Sequence, residues 1–138
     1  MWYYNEEVFE LPEDASPKTV YGFVYLITHK ESGKKYIGKK FFWSQRTKTV
    51  KGKKKRIKVE SDWKDYYGSN KYLNEERELI GNDAYKREIL HLCTNKAECA
   101  YLELVEQVER KVLLSDEYYN GFIGTKCGPK GLNRLRML

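Results

Sequence analysis

One stretch limits the possible folds of this chain more than any other: GFVYLITHKESGKKYIGKK, which extends from Gly22 to Lys40. Two short apolar segments flank a polar turn. Gly33 lies in that turn, and glycine readily adopts the positive φ that such turns need. This pattern predicts two antiparallel strands, at about 21–28 and 35–42, that pair as a hairpin with a somewhat long loop. The fold is therefore expected to contain a sheet built around this hairpin.

Three further elements are expected after the hairpin. The pattern predicts a helix that Ser69 caps and that extends to about Ile80, closed by Gly81, and then a strand over 84–92. It also predicts a long helix over 96–114, with Asn95 as its N-cap. The order β-β-α-β-α predicts a protein of the α/β class, of the α+β type, in which helices flank a small three-stranded antiparallel sheet.

The chain has 138 residues, which is the size of one domain. Residues 1–20 are acidic and aromatic, and we expect them to form an extension that packs on the domain. The domain itself is expected over 21–123, with a basic insert over 46–58. Residues 124–138 read as a basic tail.

The charge balance favours an anionic partner. The chain has 26 basic and 20 acidic residues, for a net charge of +6. Nucleic acid is the first candidate, because the sequence shows neither a basic amphipathic helix of the interfacial type nor an apolar run that could span a bilayer. We therefore expect no membrane partner. The N-terminus also lacks the pattern of a signal peptide, so a cytoplasmic location is expected.

The basic insert is the strongest charge feature. Eight of its thirteen residues, from Arg46 to Lys58, are basic and none is acidic. Such a segment repels itself and is expected to be a mobile loop or a ribbon. As a DNA clamp it would contact phosphates without reading sequence, whereas the alternative is a plain solvated loop. Besides Arg46, its candidate DNA-binding residues are Lys48, Lys51, Lys53, Lys54, Lys55, Arg56 and Lys58.

Two short motifs in the hairpin carry a family resemblance. Phe-Val-Tyr at 23–25 and Tyr-Ile-Gly at 36–38 are ten residues apart, and the pair resembles the signature of the GIY-YIG endonuclease superfamily. Three further residues occur in the same order as in that family: an arginine after the second motif (Arg46), a glutamate in a later helix (Glu103) and an asparagine that closes the domain (Asn120). The resemblance implies the GIY-YIG nuclease fold.

The resemblance extends over about 21–123. The segments ESDWKDYYGSN and LLSDEYYN look most like those of short stand-alone members of the superfamily from tailed bacteriophages, which are often called homing endonucleases. This resemblance implies a metal-dependent DNA endonuclease, encoded by a phage and used for homing or DNA processing in the host cytoplasm. The first motif departs from the family, since Phe23 stands where the family has glycine. The nearest glycine, Gly22, lies one position earlier.

The basic insert is a second departure from the family. It separates Arg46 from the region where many members carry a histidine or tyrosine near the scissile phosphate. Tyr66 or Tyr67 is expected to fill that role, and the sequence leaves the choice open; Tyr67 is included among the candidate catalytic residues. If the insert moves Arg46 aside, Lys48 or Arg56 could replace it.

Hydrolysis of a phosphodiester needs an activated water, stabilised phosphoryl oxygens and a stabilised leaving group. The resemblance implies a tyrosine as general base, which we assign to Tyr25 with Tyr36 beside it. A free tyrosine has a pKa of about 10, so nearby cations would have to favour the phenolate. Lys39 and Lys35 are the candidates for that charge. Arg46 would bind a phosphate oxygen with two donors.

The metal expected from the resemblance is one Mg²⁺, with Mn²⁺ able to substitute. Glu103 would hold it, since Mg²⁺ is commonly bound by one carboxylate together with waters and substrate oxygens; Glu106 is the alternative. Asn120 would order the site by hydrogen bonding. A zinc site formed by His91, Cys93 and Cys99 is a weaker alternative. The spacing of these three residues matches no common zinc-binding pattern.

Three functions compete at this point. The first is a metal-dependent DNA endonuclease, which would act as a monomer or as a transient dimer on DNA, because one active site cuts one strand at a time. The second is a nucleic-acid-binding module of the same fold that has lost cleavage, which the altered first motif favours. The third is a small basic structural protein, but such a protein has no reason to keep Glu103 and Asn120 in register with Tyr36.

Overall fold

The computed structural model describes residues 1–137 and contains a five-stranded sheet, a separate two-stranded ribbon and helices. The strands are β1 Trp2–Tyr4, β2 Glu7–Val8, β3 Gly22–His29, β4 Lys35–Phe41, β5 Trp43–Val50, β6 Lys53–Glu60 and β7 Tyr85–Cys93. The helices are α1 Lys71–Ile80, α2 Lys96–Glu109 and the short α3 Asn133–Arg136. Within residues 1–137, no helix combines the length and the apolar composition that crossing a membrane demands.

The predicted hairpin is confirmed as β3 and β4, which pair in antiparallel fashion. Strand β3 lies between β4 and β7 and is antiparallel to both. Both of its faces are covered, which explains its nearly continuous apolar sequence. Tyr25 and its alternate neighbours face one core, whereas Val24 and Leu26 face a second core beneath α2.

The prediction of a three-stranded antiparallel sheet is wrong, because the sheet is mixed and has the order β2-β1-β7-β3-β4. Strand β1 pairs with β7 in parallel, and β2 folds back on β1. Trp2 is buried, and its indole N–H donates to the carbonyl oxygen of Trp63 at 2.7 Å. Strands this short show no readable alternation. The start of the predicted extension is therefore part of the sheet.

The two predicted helices form, with corrected ends. Asn70 rather than the predicted Ser69 caps α1, by accepting a bond from the backbone N–H of Leu73, and Gly81 ends the helix as expected. Asn95 caps α2 as predicted. Helix α2 ends at Glu109, earlier than predicted, because Lys111 adopts a left-handed φ of 54°.

The basic insert is a two-stranded ribbon, one of the two forms expected for it. Strands β5 and β6 pair in antiparallel fashion over their whole length. Lys51 and Gly52 form the connecting turn with φ of 52° and 75°. Two successive residues with positive φ are typical of the type I′ turn, whose twist suits a hairpin. We call residues 43–60 the ribbon.

Candidate active site

A pocket opens along β4, the outermost strand of the five-stranded sheet, where both faces of the sheet contribute side chains. Its volume is about 480 Å³. Tyr36 reaches it from one face of β4, and Lys39 reaches it from the other. Glu103 and Gln107 from α2 and Asn120 from the closing loop also line it. Four of the predicted catalytic residues therefore meet here.

Asn120 fastens the closing loop to the exposed edge of β4. Its Oδ1 accepts a bond from the backbone N–H of Ile37 at 3.0 Å, and its Nδ2 donates to the carbonyl oxygen of Ile37 at 2.8 Å. The backbones of Lys35, Glu117 and Tyr119 pair in the same way just before it. The loop thus serves as a substitute strand that covers the edge. These two bonds hold Asn120 at the rim of the pocket, and its ordering role there stays a prediction.

Glu103 is largely buried at the floor of the pocket, where its side chain is 11% exposed. Its Oε1 accepts bonds from Lys39 Nζ at 3.1 Å and from Thr125 Oγ1 at 3.1 Å. Among the described residues both of these bonds end on Oε1, which leaves Oε2 for a further ligand. The carboxylate is therefore held in place while one of its oxygens stays available.

Tyr25 lies beneath Tyr36 and directly opposite Gly38 of the second motif. Its ring centroid is 6.1 Å from that of Tyr36, and the residue is 1% exposed. A Cβ at position 38 would overlap the Tyr25 hydroxyl and lie 2.5 Å from its Cζ. The glycine of the second motif is therefore required by the tyrosine of the first, because no other residue leaves room for that ring.

Both tyrosines hold their protons tightly. Burial raises the pKa of Tyr25 well above its ordinary value, and the neighbouring phenols of Tyr66 and Tyr36 raise it further. Burial also raises the pKa of Tyr36, although its hydrogen bond with Ser69 acts in the opposite direction. Both phenols are therefore neutral at pH 7.

The expectation that lysines favour the phenolate of Tyr25 is wrong in this structure. Lys39 projects from the opposite face of β4 and pairs with Glu103. Lys35 donates to the carbonyl oxygen of Gly33 at 3.1 Å. The prediction relied on the closeness of both lysines to Tyr36 in the sequence. Neighbouring residues on a strand, however, point to opposite faces of the sheet.

The structure separates Tyr66 from Tyr67, a choice that the sequence left open. The Tyr66 ring lies 6.0 Å from the Tyr25 ring, nearly at right angles to it. The guanidinium groups of Arg77 and Arg87 instead contact the Tyr67 ring, with their Cζ atoms 4.7 Å and 4.1 Å from its centroid. Tyr67 lines cavities on the N-terminal side of the domain rather than the pocket at β4. Tyr66 is therefore the residue beside the tyrosine pair.

Arg46 lies outside the pocket at β4. It is exposed on β5, opposite Ile57, and it lines a second cavity of about 630 Å³ at the root of the ribbon. Lys39 borders both cavities, and Lys40 and Lys58 line the second one. The two cavities thus share a basic boundary rather than forming a single site.

The other basic residues of the insert lie on the ribbon or in its turn, and all are exposed. The two substitutes considered for Arg46 both lie nearer the turn of the ribbon than Arg46 itself, and neither lines the pocket at β4. The exposed set is Lys48, Lys51, Lys53, Lys54, Lys55, Arg56 and Lys58.

The zinc alternative finds no support in the geometry. His91 Nε2 hydrogen-bonds Glu106 Oε1 at 2.8 Å, and Arg110 Nε donates to Glu106 Oε2 at 2.8 Å. Cys93 and Cys99 are buried in the core between β7 and α2. Within residues 1–137, no group of three or more histidine, cysteine or acidic side chains is arranged to hold a metal.

Gln107 and Thr125 line the pocket but were not among the residues predicted from the sequence. Gln107 is buried one helical turn after Glu103, and that spacing on one helix face was the available signal. Its Nε2 faces the carbonyl oxygen of Ile37 at 3.4 Å, while its Oε1 has no hydrogen-bond partner among residues 1–137. Thr125 lies in the predicted basic tail, beyond the expected end of the domain, so nothing in the sequence pointed to it.

Comparison with protein families agrees with this arrangement of motifs. The family model described as "Putative endonuclease segE, GIY-YIG domain" matches residues 2–123. Comparisons with curated proteins and with solved structures found no match. Because the match covers most of the chain, this protein belongs to the GIY-YIG endonuclease family. Members of the family are nucleases that act on DNA and generally use a divalent metal ion.

Proposed function

We propose that this protein is a metal-dependent DNA endonuclease that hydrolyses phosphodiester bonds. The observation that supports this most is the meeting of Tyr36, Lys39, Glu103 and Asn120 around one pocket, although up to 83 residues separate them in the chain. A structural protein, or one that only binds nucleic acid, does not need a carboxylate, a cation and a phenol around one cavity. The fold-level match alone would not argue for activity.

Tyr36 is the tyrosine that we propose as general base, instead of Tyr25. Tyr36 lines the pocket, and its hydroxyl lies 3.3 Å from Ser69 Oγ, where a bound phosphate or water can reach it. Tyr25 is buried beneath it and supports its ring. Because the pKa of Tyr36 is raised in the free protein, positive charge in the substrate complex would have to make it a base at neutral pH.

The residues around Glu103 fit a single hard cation. The Oε2 oxygen is open to a ligand among the described contacts, and the buried Oε1 of Gln107 lies one helical turn away without a partner in residues 1–137. Mg²⁺ suits such a site, because it takes few protein ligands and keeps waters or substrate oxygens. When bound there, the ion would stabilise charge on the leaving oxygen. Lys39 and Asn120 would orient the pocket around the scissile phosphate.

The ribbon supplies the proposed DNA-binding charge. Arg46 and Lys58 begin a basic surface at the ribbon root, next to Lys39 of the pocket. We propose that Arg46 binds a phosphate adjacent to the scissile one, because it lines the neighbouring cavity rather than the pocket itself. A homing or DNA-processing role for a phage protein, action in the host cytoplasm, and a monomer or transient dimer on DNA are parts of the same proposal.

The deciding experiment is cleavage of supercoiled plasmid in Mg²⁺, in Mn²⁺ and in EDTA. We expect metal-dependent nicking by the natural protein and a loss of roughly 100-fold or more in Glu103→Gln, because the proposed metal ligand is removed. Glu106→Gln is the matched control, since Glu106 lies on the same helix but binds His91 and Arg110. Equal cleavage by Glu103→Gln would refute the assignment.

The alternative is a DNA-binding module without catalysis. The altered first motif and the tightly held protons of both tyrosines favour it. Absence of cutting on plasmid and on branched DNA, with DNA binding retained in EDTA, would establish this alternative.

A further inference from the structure

The ribbon has a defined orientation relative to the pocket because its root is tied to the sheet. The indole N–H of Trp43 donates to the carbonyl oxygen of Val20 at 2.8 Å. Lys58 Nζ donates to the Tyr21 hydroxyl at 2.9 Å and lies 4.6 Å from that ring. The Tyr21 ring packs on Phe41 with their centroids 5.1 Å apart. The ribbon is thus a fixed projection from the sheet at its root.

Beyond the root, the ribbon leaves both of its faces uncovered. Residues 44–49 and 51–58 are all exposed. An isolated two-stranded hairpin is marginally stable in water, and sheets normally bury at least one face. The chain therefore maintains a long exposed hairpin that carries eight positive charges and no negative charge between 44 and 59. Such a surface fits a polyanion that can surround it.

The dimensions of the ribbon fit the major groove of duplex DNA. Each strand has eight residues, which corresponds to a length of roughly 27 Å. Its two strands are about 4.8 Å apart, and with side chains they fill a groove about 12 Å wide, whereas the minor groove, about 6 Å wide, excludes them. The deep and narrow major groove of duplex RNA excludes them as well.

The two faces of the ribbon differ in chemistry. Residues directly opposite each other in an antiparallel pair share a face, and the register pairs Thr47 with Arg56 and Gln45 with Lys58. We call this side the polar face, because each of its positions between the root and the turn carries a hydrogen-bonding side chain. Its residues are Gln45, Thr47, Thr49, Lys54, Arg56 and Lys58. The opposite face mixes Ser44, Arg46, Lys48, Lys53 and Lys55 with the aliphatic Val50, Ile57 and Val59.

The root of the polar face lies on the same side of the sheet as Glu103, the proposed metal ligand. Lys58 of this face contacts Tyr21, and Tyr21 packs on Phe41. Phe41 and Lys39 are two residues apart on β4, so they project from the same face of the sheet. A duplex whose backbone lies at Glu103 and Lys39 therefore extends towards the polar face of the ribbon.

We propose that the ribbon enters the major groove beside the cleavage site and that Arg56 and Gln45 on its polar face read base edges. Arginine contacts guanine O6 and N7 with two hydrogen bonds, and glutamine contacts adenine N6 and N7 in the same way. The lysines near the turn contact the flanking phosphates. The ribbon thus gives sequence selectivity to a nuclease domain whose pocket contacts only the DNA backbone. The inference rests on the proposed function.

The test separates base reading from charge and from cleavage. The full chain is bound in EDTA to a library of random duplexes, and the bound duplexes are sequenced. Arg56→Lys keeps the charge but loses the two-donor geometry, and Gln45→Ala loses the amide. Lys55→Ala, on the opposite face, is the matched charge control. Interference by N7-methylguanine, a modification in the major groove, is measured on the enriched sequence, and duplex RNA serves as competitor.

We expect the natural chain to enrich a short motif, and N7 methylation within it to prevent binding. Arg56→Lys and Gln45→Ala each relax the preference at one base position by about tenfold. Lys55→Ala keeps the motif and lowers the salt slope of binding by about one.

The inference fails if no motif is enriched, if neither polar-face variant changes the motif, if N7 methylation has no effect, or if duplex RNA competes equally. Plasmid cleavage without a motif would overturn this inference alone. A motif without any cleavage would overturn the proposed function instead.

Discussion

At the residue scale, the two motif tyrosines have different surroundings, although their sequence motifs look equivalent. Tyr36 lines the pocket, whereas Tyr25 is buried opposite Gly38. The sequence shows two tyrosines on paired strands. Only their positions relative to the pocket at β4 distinguish a group that can touch substrate from one that supports it.

The first prediction concerns that difference. We expect Tyr36→Phe to lower plasmid cleavage by roughly 100-fold, because it removes the proposed base, and Tyr25→Phe to change the rate far less. The pKa of Tyr36 is raised in the free protein, so cleavage at subsaturating DNA, which reports the ionisation of the free protein, should increase by about tenfold per pH unit through neutral pH. That slope should be absent in Tyr36→Phe. A larger loss in Tyr25→Phe would assign the base to Tyr25.

The second prediction concerns the space above Tyr25. Gly38→Ala places a Cβ against the ring carbon Cζ and the hydroxyl of Tyr25, and overpacking of this kind costs about 1–3 kcal/mol. Gly128→Ala is the control, because a Cβ there meets no atom within 4 Å among the described residues. Urea unfolding of both variants measures the difference. Equal stabilities would show that β4 shifts freely at this point.

At the element scale, helix α2 turns a largely polar face to the sheet. Its buried residues are Glu98, Cys99, Glu103 and Gln107, whereas Tyr101 is 39% and Val108 is 58% exposed. The sequence predicted the helix and its cap, whereas its buried side is a finding of the structure. A helix that carries site residues into a pocket must bury polar groups, and this conflicts with the usual apolar stripe.

Glu98 joins the start of α2 to the C-terminal helix. Its side chain is 1% exposed and accepts bonds from Arg134 and from the backbone N–H of Thr94. Burial acts to raise the pKa of Glu98, but these hydrogen bonds outweigh it, and the pKa lies below its ordinary value of 4.5. A lowered carboxyl pKa stabilises the fold above the ordinary value, and that contribution is lost as the pH falls through the folded-state pKa.

The third prediction follows from this pair. Arg134→Ala should destabilise the protein by about 1–2 kcal/mol at pH 7, because it leaves a buried carboxylate with fewer donors. The difference from the natural protein should shrink as the pH falls below 4.5, where Glu98 takes up a proton. Arg136→Ala on the same helix is the control, since Arg136 is exposed. A difference that does not depend on pH would contradict the role of the ion pair.

At the scale of the whole molecule, the N-terminal residues complete the core. Trp2 packs its ring against Phe23 and Tyr25, with centroids 4.9 Å and 5.3 Å away. Arg87 lies over the same indole at 4.7 Å. The extension predicted to pack on the domain thus supplies two strands of the sheet and a buried indole ring against Tyr25.

The fourth prediction tests this contribution. Trp2→Ala should lower the free energy of unfolding by about 3–5 kcal/mol, because it opens a large cavity beside β3. Val8→Ala on the neighbouring strand should change it by less than about 0.5 kcal/mol, since Val8 is 48% exposed. Denaturant unfolding provides both values. A small effect of Trp2→Ala would mean that the domain folds without β1.

The sequence by itself determined the β3–β4 hairpin, the α1–β7–α2 order, the cap at Asn95 and the motif residues that indicate a nuclease. These features depend on periodicity, turn residues and spacing within a few tens of residues, all of which are visible in one dimension. The tertiary structure decided the rest. The parallel pairing of β1 with β7, the separation of Tyr66 from Tyr67, the burial of Tyr25 and the ion pair of Lys39 with Glu103 depend on which edges and faces meet. Such contacts join residues far apart in the chain, and local patterns carry no record of them.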